Sequence, residues 1–373
     1  MALSIAELQK KRFLADDAAD GTIKSIIESG ETRAINQLFH HLTSNSDIPP
    51  DSHPEVLAFF QNQSGLPETA DWDLIRKGQK FFQRHGPQAF LALFCKSLPE
   101  CYSCWRGAKV LYQTGRMTEK ADDDFRIYSR RLMETAQFVV DVAWEHAFQP
   151  QGRAVMVCHK IRLIHAAIRY YLLKEGWDTE ELGTPINQED KAGTFLSFSV
   201  SVLEGVKAMG VEVKREEEEG YYYLWTQIAR LMGVREELIP ATLEEGTELK
   251  NMILEHQNGP SMEGVALTKA ANDFMAHMMP GSFFDRYPHS LMHQLNIPMV
   301  RTACGISDEE GLVERLMVRA TRMWGKLSSH LEGVNLLNEH FKRHMLEGML
   351  RYFNERKEIQ FNIPPSLRGE WGL

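Results

Sequence analysis

The stretch Val157-Cys-His-Lys-Ile-Arg-Leu-Ile-His-Ala-Ala-Ile-Arg-Tyr-Tyr-Leu172 confines this chain more than any other. Ile161, Ile164, Ile168 and Leu172 recur at helical spacing, so one face of a helix is apolar. His165 sits in that face, with Arg162 and Arg169 one turn to either side. A lone imidazole there is either a core histidine satisfied by a backbone carbonyl or a ligand. Between two cations on an apolar helix it also meets the needs of a haem: one axial ligand and two propionate partners.

Helical periodicity dominates the rest of the chain, and no convincing run of alternating β-branched residues interrupts it, so the expected class is all-α. An apolar fraction of 43% is enough for a substantial core in 373 residues. The net charge of −9, without a basic block, argues against a nucleic-acid partner. No apolar run approaches the roughly 20 residues of a spanning helix, and the opening residues carry no secretory pattern, so a cytoplasmic protein without an integral membrane segment is expected. Five cysteines, an odd number, fit reduced thiols. Cys101-Tyr-Ser-Cys104 has no second pair for a zinc, and Trp105 follows where covalent haem attachment needs histidine.

Taken in order, residues 1–115 read as a helical wrap, opened by a Ser4/Glu7 capping box. Within it helices are expected at 32–42, 54–63 and 72–82, the last stopping near His85-Gly-Pro87. Residues 116–300 form the core and 301–373 the C-terminal helices and an extended tail. Within the core, a long helix over 122–148 and the His165 helix are joined by a short turn and should lie antiparallel. With the turn centred near residues 149 and 150, His165 faces Glu134. Arg131, Glu134 and Thr135 share one face there at i, i+3 and i+4. Asn187 is an N-cap, with Asp190 at the third helical position, for a helix over 188–209. The run Tyr221-Tyr-Tyr-Leu-Trp225 supplies a dense aromatic set.

From Thr114 to Pro240 the chain resembles the family of latex clearing proteins and MpaB-type oxygenases. The resemblance rests on Arg131-x-x-x-Thr135, the Lys160 to Arg169 segment around His165, Gly183-Thr-Pro-Ile-Asn-Gln-x-Asp190, Phe198-Ser199, and Glu219-Gly-Tyr-x-x-x-Trp225 leading to Met232-Gly-Val234. It implies an all-helical fold with a globin-like core, one domain over 1–373, and haem b as cofactor. It further implies His165 as the proximal axial ligand, Arg131 and Thr135 in the distal pocket, and dioxygen-dependent cleavage of carbon–carbon double bonds in polyisoprenoids. One position departs: the lysine that latex-clearing members place three residues after the arginine is Glu134 here. A carboxylate offers iron no amine, and rubber itself becomes a doubtful substrate. The equivalent of an upstream catalytic acid falls near Gly115, with Glu119 close by.

The expected function is therefore a haem b-dependent oxygenase acting on dioxygen and a small apolar, unsaturated substrate, with an unidentified electron donor. In it Arg131 polarises dioxygen, Glu134 serves as a base if burial raises its pKa, and Thr135 orients water or oxygen. Arg162 and Arg169 are the expected propionate partners, and Tyr222, Tyr223 and Trp225 a pocket wall. A haem-binding sensor or carrier without turnover shares His165 but needs no substrate channel. A di-iron bundle lacks its Glu-x-x-His repeats. The pairs His289/His293 and His340/His344 have metal-ligand spacing on charged helix surfaces, and a scaffold without any cofactor completes the alternatives.

Overall fold

The computed structural model describes residues 3–30, 50–63, 65–118, 124–149, 152–278 and 286–308, together with 319, 322 and 323. Among these there is no strand; two segments touch in a single isolated bridge between Cys104 and Asn258. The fold is all-helical, as the periodicity predicts. The helices expected at 32–42 and beyond residue 308, including His340 and His344, lie outside the described residues, as does Glu119.

In chain order the helices are α1 (Ile5–Lys11), α2 (Asp17–Glu28), α3 (Pro54–Asn62), α4 (Trp72–Ala92), α5 (Leu98–Ser103), α6 (Trp105–Thr118), α7 (Asp124–Ala143) and α8 (Ala154–Lys174). They continue as α9 (Thr179–Leu182), α10 (Gln188–Leu196), α11 (Val202–Ala208), α12 (Arg215–Leu231), α13 (Leu243–Gln257), α14 (Met262–Met278), α15 (Tyr287–Leu295) and α16 (Pro298–Cys304). Caps follow the sequence. Ser4 and Glu7 exchange both capping-box hydrogen bonds at α1, and Asn187 accepts from the Asp190 amide at the start of α10.

Two expectations are corrected. The helix at 72–82 does not stop at Pro87; it bends where His85 leaves helical geometry (φ −117°, ψ 15°) and runs on to Ala92. Ala89, Phe90 and Ala92 are buried past the bend, so packing outweighs the hydrogen bond that proline removes. The helix over 188–209 is interrupted by a π-helical turn at Ser197–Ser201, which takes in Phe198 and Ser199. A second π-helical turn, Leu93–Ser97, packs against it.

The pair α4 and α12 forms the centre of the fold. Their backbones meet at Gly78 and Gly220: a Cβ on Gly78 would stand 2.4 Å from the Gly220 carbonyl oxygen, and one on Gly220 2.6 Å from Lys77 Cβ. Around this crossing one continuous apolar core draws on residues from Ala70 to Ile306. A second cluster joins Leu8 to α10, α12 and α13, and a third packs Ala19, Ile23 and Ile26 of α2 against Leu163, Ala166 and Ala167 of α8. The N-terminal wrap thus seals the back of the His165 helix.

Candidate functional site

His165 lies mid-way along α8, on a helix whose other faces are already committed. Leu163, Ala166 and Ala167 are buried against α2. His165 itself is half-buried, and its Nδ1 is buried and has no hydrogen-bond partner among the described residues. Burial pushes the imidazole pKa down to about 3; the charges of Lys191 and Arg169 push the same way, and Asp16 opposes them. At neutral pH the ring is therefore uncharged and keeps an unshared lone pair, the form in which histidine ligates metals.

Facing it, the antiparallel α7–α8 hairpin forms as expected, but its register differs. The Ala154 amide donates to the Ala147 carbonyl at 3.0 Å, a turn centred about one residue later than expected. On α7, Ala136 is fully buried and Glu134 is not. Glu134 leaves 49% of its side chain exposed and accepts from Arg130 Nε at 3.2 Å. Glu134 thus stands in an exposed surface pair, without the burial on which the expected base role depends.

Arg131 and Thr135 stay on the half-buried flank of α7. Arg131 Nη1 donates to the Leu111 carbonyl and to Thr114 Oγ1, both at 2.8 Å, and the Thr135 hydroxyl donates to the Arg131 carbonyl at 2.9 Å. Arg131 also contributes to lowering the His165 pKa, so its charge acts at the imidazole. Thr114, buried at the far end of α6, passes its own proton to the Val110 carbonyl and so presents a lone pair to Arg131. Thr114 was not singled out from sequence, because a contact seventeen residues away leaves no periodic trace.

Arg162 and Arg169 do not wait for an anionic ligand. Arg162 grips both oxygens of Asp16 (2.8 and 2.9 Å) and donates to Gln63 Oε1 at 2.7 Å, while standing over the Phe59 ring. Arg169 bonds Asp20 Oδ1 through Nε and Nη2 (2.9 and 2.7 Å) and turns Nη1 to the carbonyls of Pro185 and Ile186. Both are buried clamps for the N-terminal segment, bound by groups of the chain itself. The fit that remains for a haem is the orphaned neutral imidazole of His165, with Arg131 on the facing helix.

The aromatic run divides in two. Tyr222 turns into the second apolar cluster, where its hydroxyl donates to the Pro240 carbonyl at 2.9 Å; Tyr223 accepts from the Asp71 amide at 2.8 Å. The two tyrosines thus meet different partners, with Tyr223 packed against the main core. Trp225 does reach it, edge-on to Phe138 of α7 at 6.3 Å and tilted over Phe198 of the π-helical turn at 5.3 Å.

His289 and His293 meet separate partners, Ser307 and Asp308. Among the described residues, no three histidines, cysteines, aspartates or glutamates gather as a metal site.

The sequence profile described as "ER-bound oxygenase mpaB/B'/Rubber oxygenase, catalytic domain" matches residues 108–325, more than half of the chain. The chain belongs to this oxygenase family. Its matched region opens at α6, so it includes Thr114, Arg131, Thr135, His165 and Trp225 together. A similar curated relative is the rubber oxygenase of Streptomyces sp. (strain K30), 26% identical over 273 residues. That alignment takes in 72% of this chain and 65% of the relative, so less than two thirds of the relative is spanned. The solved structure of latex clearing protein LCP in the closed state is similar with a TM-score of 0.76, at 22% identity, over 98% of this chain and 96% of that one. At that identity the likeness establishes the fold, which the oxygenase-family chain shares almost end to end.

Proposed function

We propose that this family member is a haem b-dependent oxygenase that cleaves a carbon–carbon double bond in a small unsaturated isoprenoid, terpenoid or lipid. The observation that carries the reading is His165: a half-buried, neutral imidazole on an otherwise clamped helix, whose buried Nδ1 no described side chain or carbonyl satisfies. When bound, haem supplies the redox-active iron that dioxygen chemistry requires.

The chain's own residues supply the rest. His165 presents its lone pair. Arg131, held by Thr114 and the Leu111 carbonyl, fixes a positive charge on the facing helix, where it favours negative charge developing on oxygen. Thr135 keeps its oxygen lone pairs available beside that charge. Trp225, Phe138 and Phe198 offer an apolar aromatic border that favours a hydrocarbon over a polar substrate. The overall reaction balances without an added reductant: one alkene and one dioxygen give two carbonyl compounds, each keeping one oxygen atom. No electron donor is consumed in that balance.

The rubber oxygenase relative is named for rubber; an apolar substrate is favoured here by the border of Trp225, Phe138 and Phe198, not by Glu134, which stands on the surface. The same reading treats residues 1–373 as one domain, supported by the continuous core and by the buried ion pairs that tie α2 to α8. No described helix is long and apolar enough to cross a membrane.

The test is turnover. Reduced holoprotein is incubated with dioxygen and a panel of isoprenoid alkenes, and aldehydes and ketones are sought by mass spectrometry, with ¹⁸O₂ labelling both products. Stoichiometric haem without any carbonyl product would instead mark a haem sensor or carrier.

A further inference from the structure

Behind His165 lies a set of buried charges that the sequence does not bring together. Asp16, just before α2, accepts from Arg162 through both oxygens and from Lys191 Nζ at 3.0 Å. Lys191, on α10, also donates to the carbonyls of Met232 (3.3 Å) and Gly233 (3.4 Å). Gly233 is pressed onto the cluster: with φ +72°, a Cβ there would stand 2.7 Å from Asp16 Oδ2 and 2.9 Å from Arg162 Nε. One turn beyond His165 the pattern recurs with Arg169 and Asp20. Arg162, Lys191 and Asp16 are each at least nine-tenths buried by side-chain exposure, and Arg169 is 2% exposed.

Three cations and two carboxylates make this enclosure net positive by one charge. In a low-dielectric interior such an imbalance is weakly screened. A positive field raises the energy of a ferric centre more than that of a ferrous one, because the ferric state carries the extra positive charge. Arg162 and Arg169 stand three residues before and four residues after His165 on α8, so both ion pairs lie about one helical turn from the imidazole.

We propose that the Asp16–Arg162–Lys191 cluster, with Asp20–Arg169, is a proximal charge set that acts through His165 to favour ferrous haem, with Lys191 supplying the uncompensated charge. The inference rests on the haem reading above. Lys191 and Asp16 are positioning residues; neither touches substrate. The set also explains the N-terminal wrap, which brings a carboxylate to each of the two arginines flanking the ligand.

The test is a spectroelectrochemical titration of the haem-loaded full chain at pH 6.5, below the pKa of about 8 to which burial brings Lys191. Lys191→Met removes the surplus cation and is expected to lower the midpoint potential. Asp16→Asn is expected to raise it. Each should change the ferric-to-ferrous ratio at fixed potential by about tenfold, which is 59 mV for a one-electron couple. Lys191→Arg should stay near wild type. Asp20→Asn, at a carboxylate with 32% of its side chain exposed, should also raise the potential and stands in if Asp16→Asn fails to fold.

Opposite signs for Lys191→Met and the Asp→Asn variants support the inference, because simple loosening of the fold moves the potential one way. Shifts of the same sign, or none, in variants that hold one haem per chain overturn it and leave the haem reading standing. A wild-type protein that binds no haem overturns both.

Discussion

Glu134 and Arg131 are three residues apart on α7, yet the structure assigns them to different environments. Glu134 is an exposed partner of Arg130, and pairs of this kind contribute little. Glu134→Gln is therefore expected to change turnover by less than about twofold. Arg131→Ala removes the fixed charge and should lower turnover roughly 100-fold, the scale of a lost electrostatic donor. Thr114→Val keeps the arginine but removes its acceptor, and should fall between the two. Steady-state rates for the three variants check this order; equal losses for Glu134→Gln and Arg131→Ala would contradict it. His165 was legible in the sequence because a polar residue in a 3.6-residue apolar pattern announces itself. The partners of Arg162 and Arg169 were not, because Asp16 and Asp20 lie 146 and 149 residues away in sequence. A cation one turn from a candidate ligand reads the same whether it meets a propionate or an aspartate.

At the scale of elements, the hairpin was readable and its register was not. Two long apolar patterns and a short turn dictate an antiparallel pair, but counting from the turn's centre does not tell which α7 side chain is buried: Ala136 is, and Glu134 is not. Pro87 and the π-helical turns show the same limit: local breakers announce a stop, while buried Ala89 and Phe90 carry α4 through. Nor does sequence reveal that Gly78 and Gly220 are apposed. Their contact lets α4 and α12 approach backbone to backbone, so Gly220→Ala should destabilise the fold by roughly 1–3 kcal/mol through overpacking. Urea denaturation followed by far-UV circular dichroism measures it. Gly21→Ala, with nothing within 4 Å of the added carbon, is the control and should be neutral or slightly stabilising.

Across the whole molecule, the N-terminal wrap is joined to the core by charge as much as by apolar contact. Arg12 pairs with Glu189 and Asp190, Asp16 with Arg162 and Lys191, and Asp20 with Arg169, so positions 12, 16 and 20 each lock onto a core helix. Burial alone would raise the Asp16 pKa, but the hydrogen bonds of Arg162 and the charges of Lys191 and Arg162 outweigh it and hold the carboxyl below its ordinary value of 3.8. A depressed carboxylate stabilises the fold above its unfolded pKa, and that contribution is lost as pH falls through the folded one. Wild type should thus lose stability progressively below about pH 4, whereas Asp16→Asn should be weaker by roughly 3–5 kcal/mol at pH 7 and flatter in acid. Denaturation midpoints from pH 2 to 7 decide this. The all-helical class and the family were legible from pattern and motif; the way the wrap closes behind the His165 helix was not, since it depends on pairs that only the folded chain brings together. The central claim concerns His165 and is tested most directly by the absorption spectrum of the purified protein, oxidised and reduced, beside His165→Ala. The wild type should show a Soret band that shifts on reduction, with one haem per chain, and the variant should lose most of that haem while keeping its helical circular dichroism. A colourless wild type from haem-replete cells, or a variant with full haem and an unchanged Soret band, would contradict the assignment.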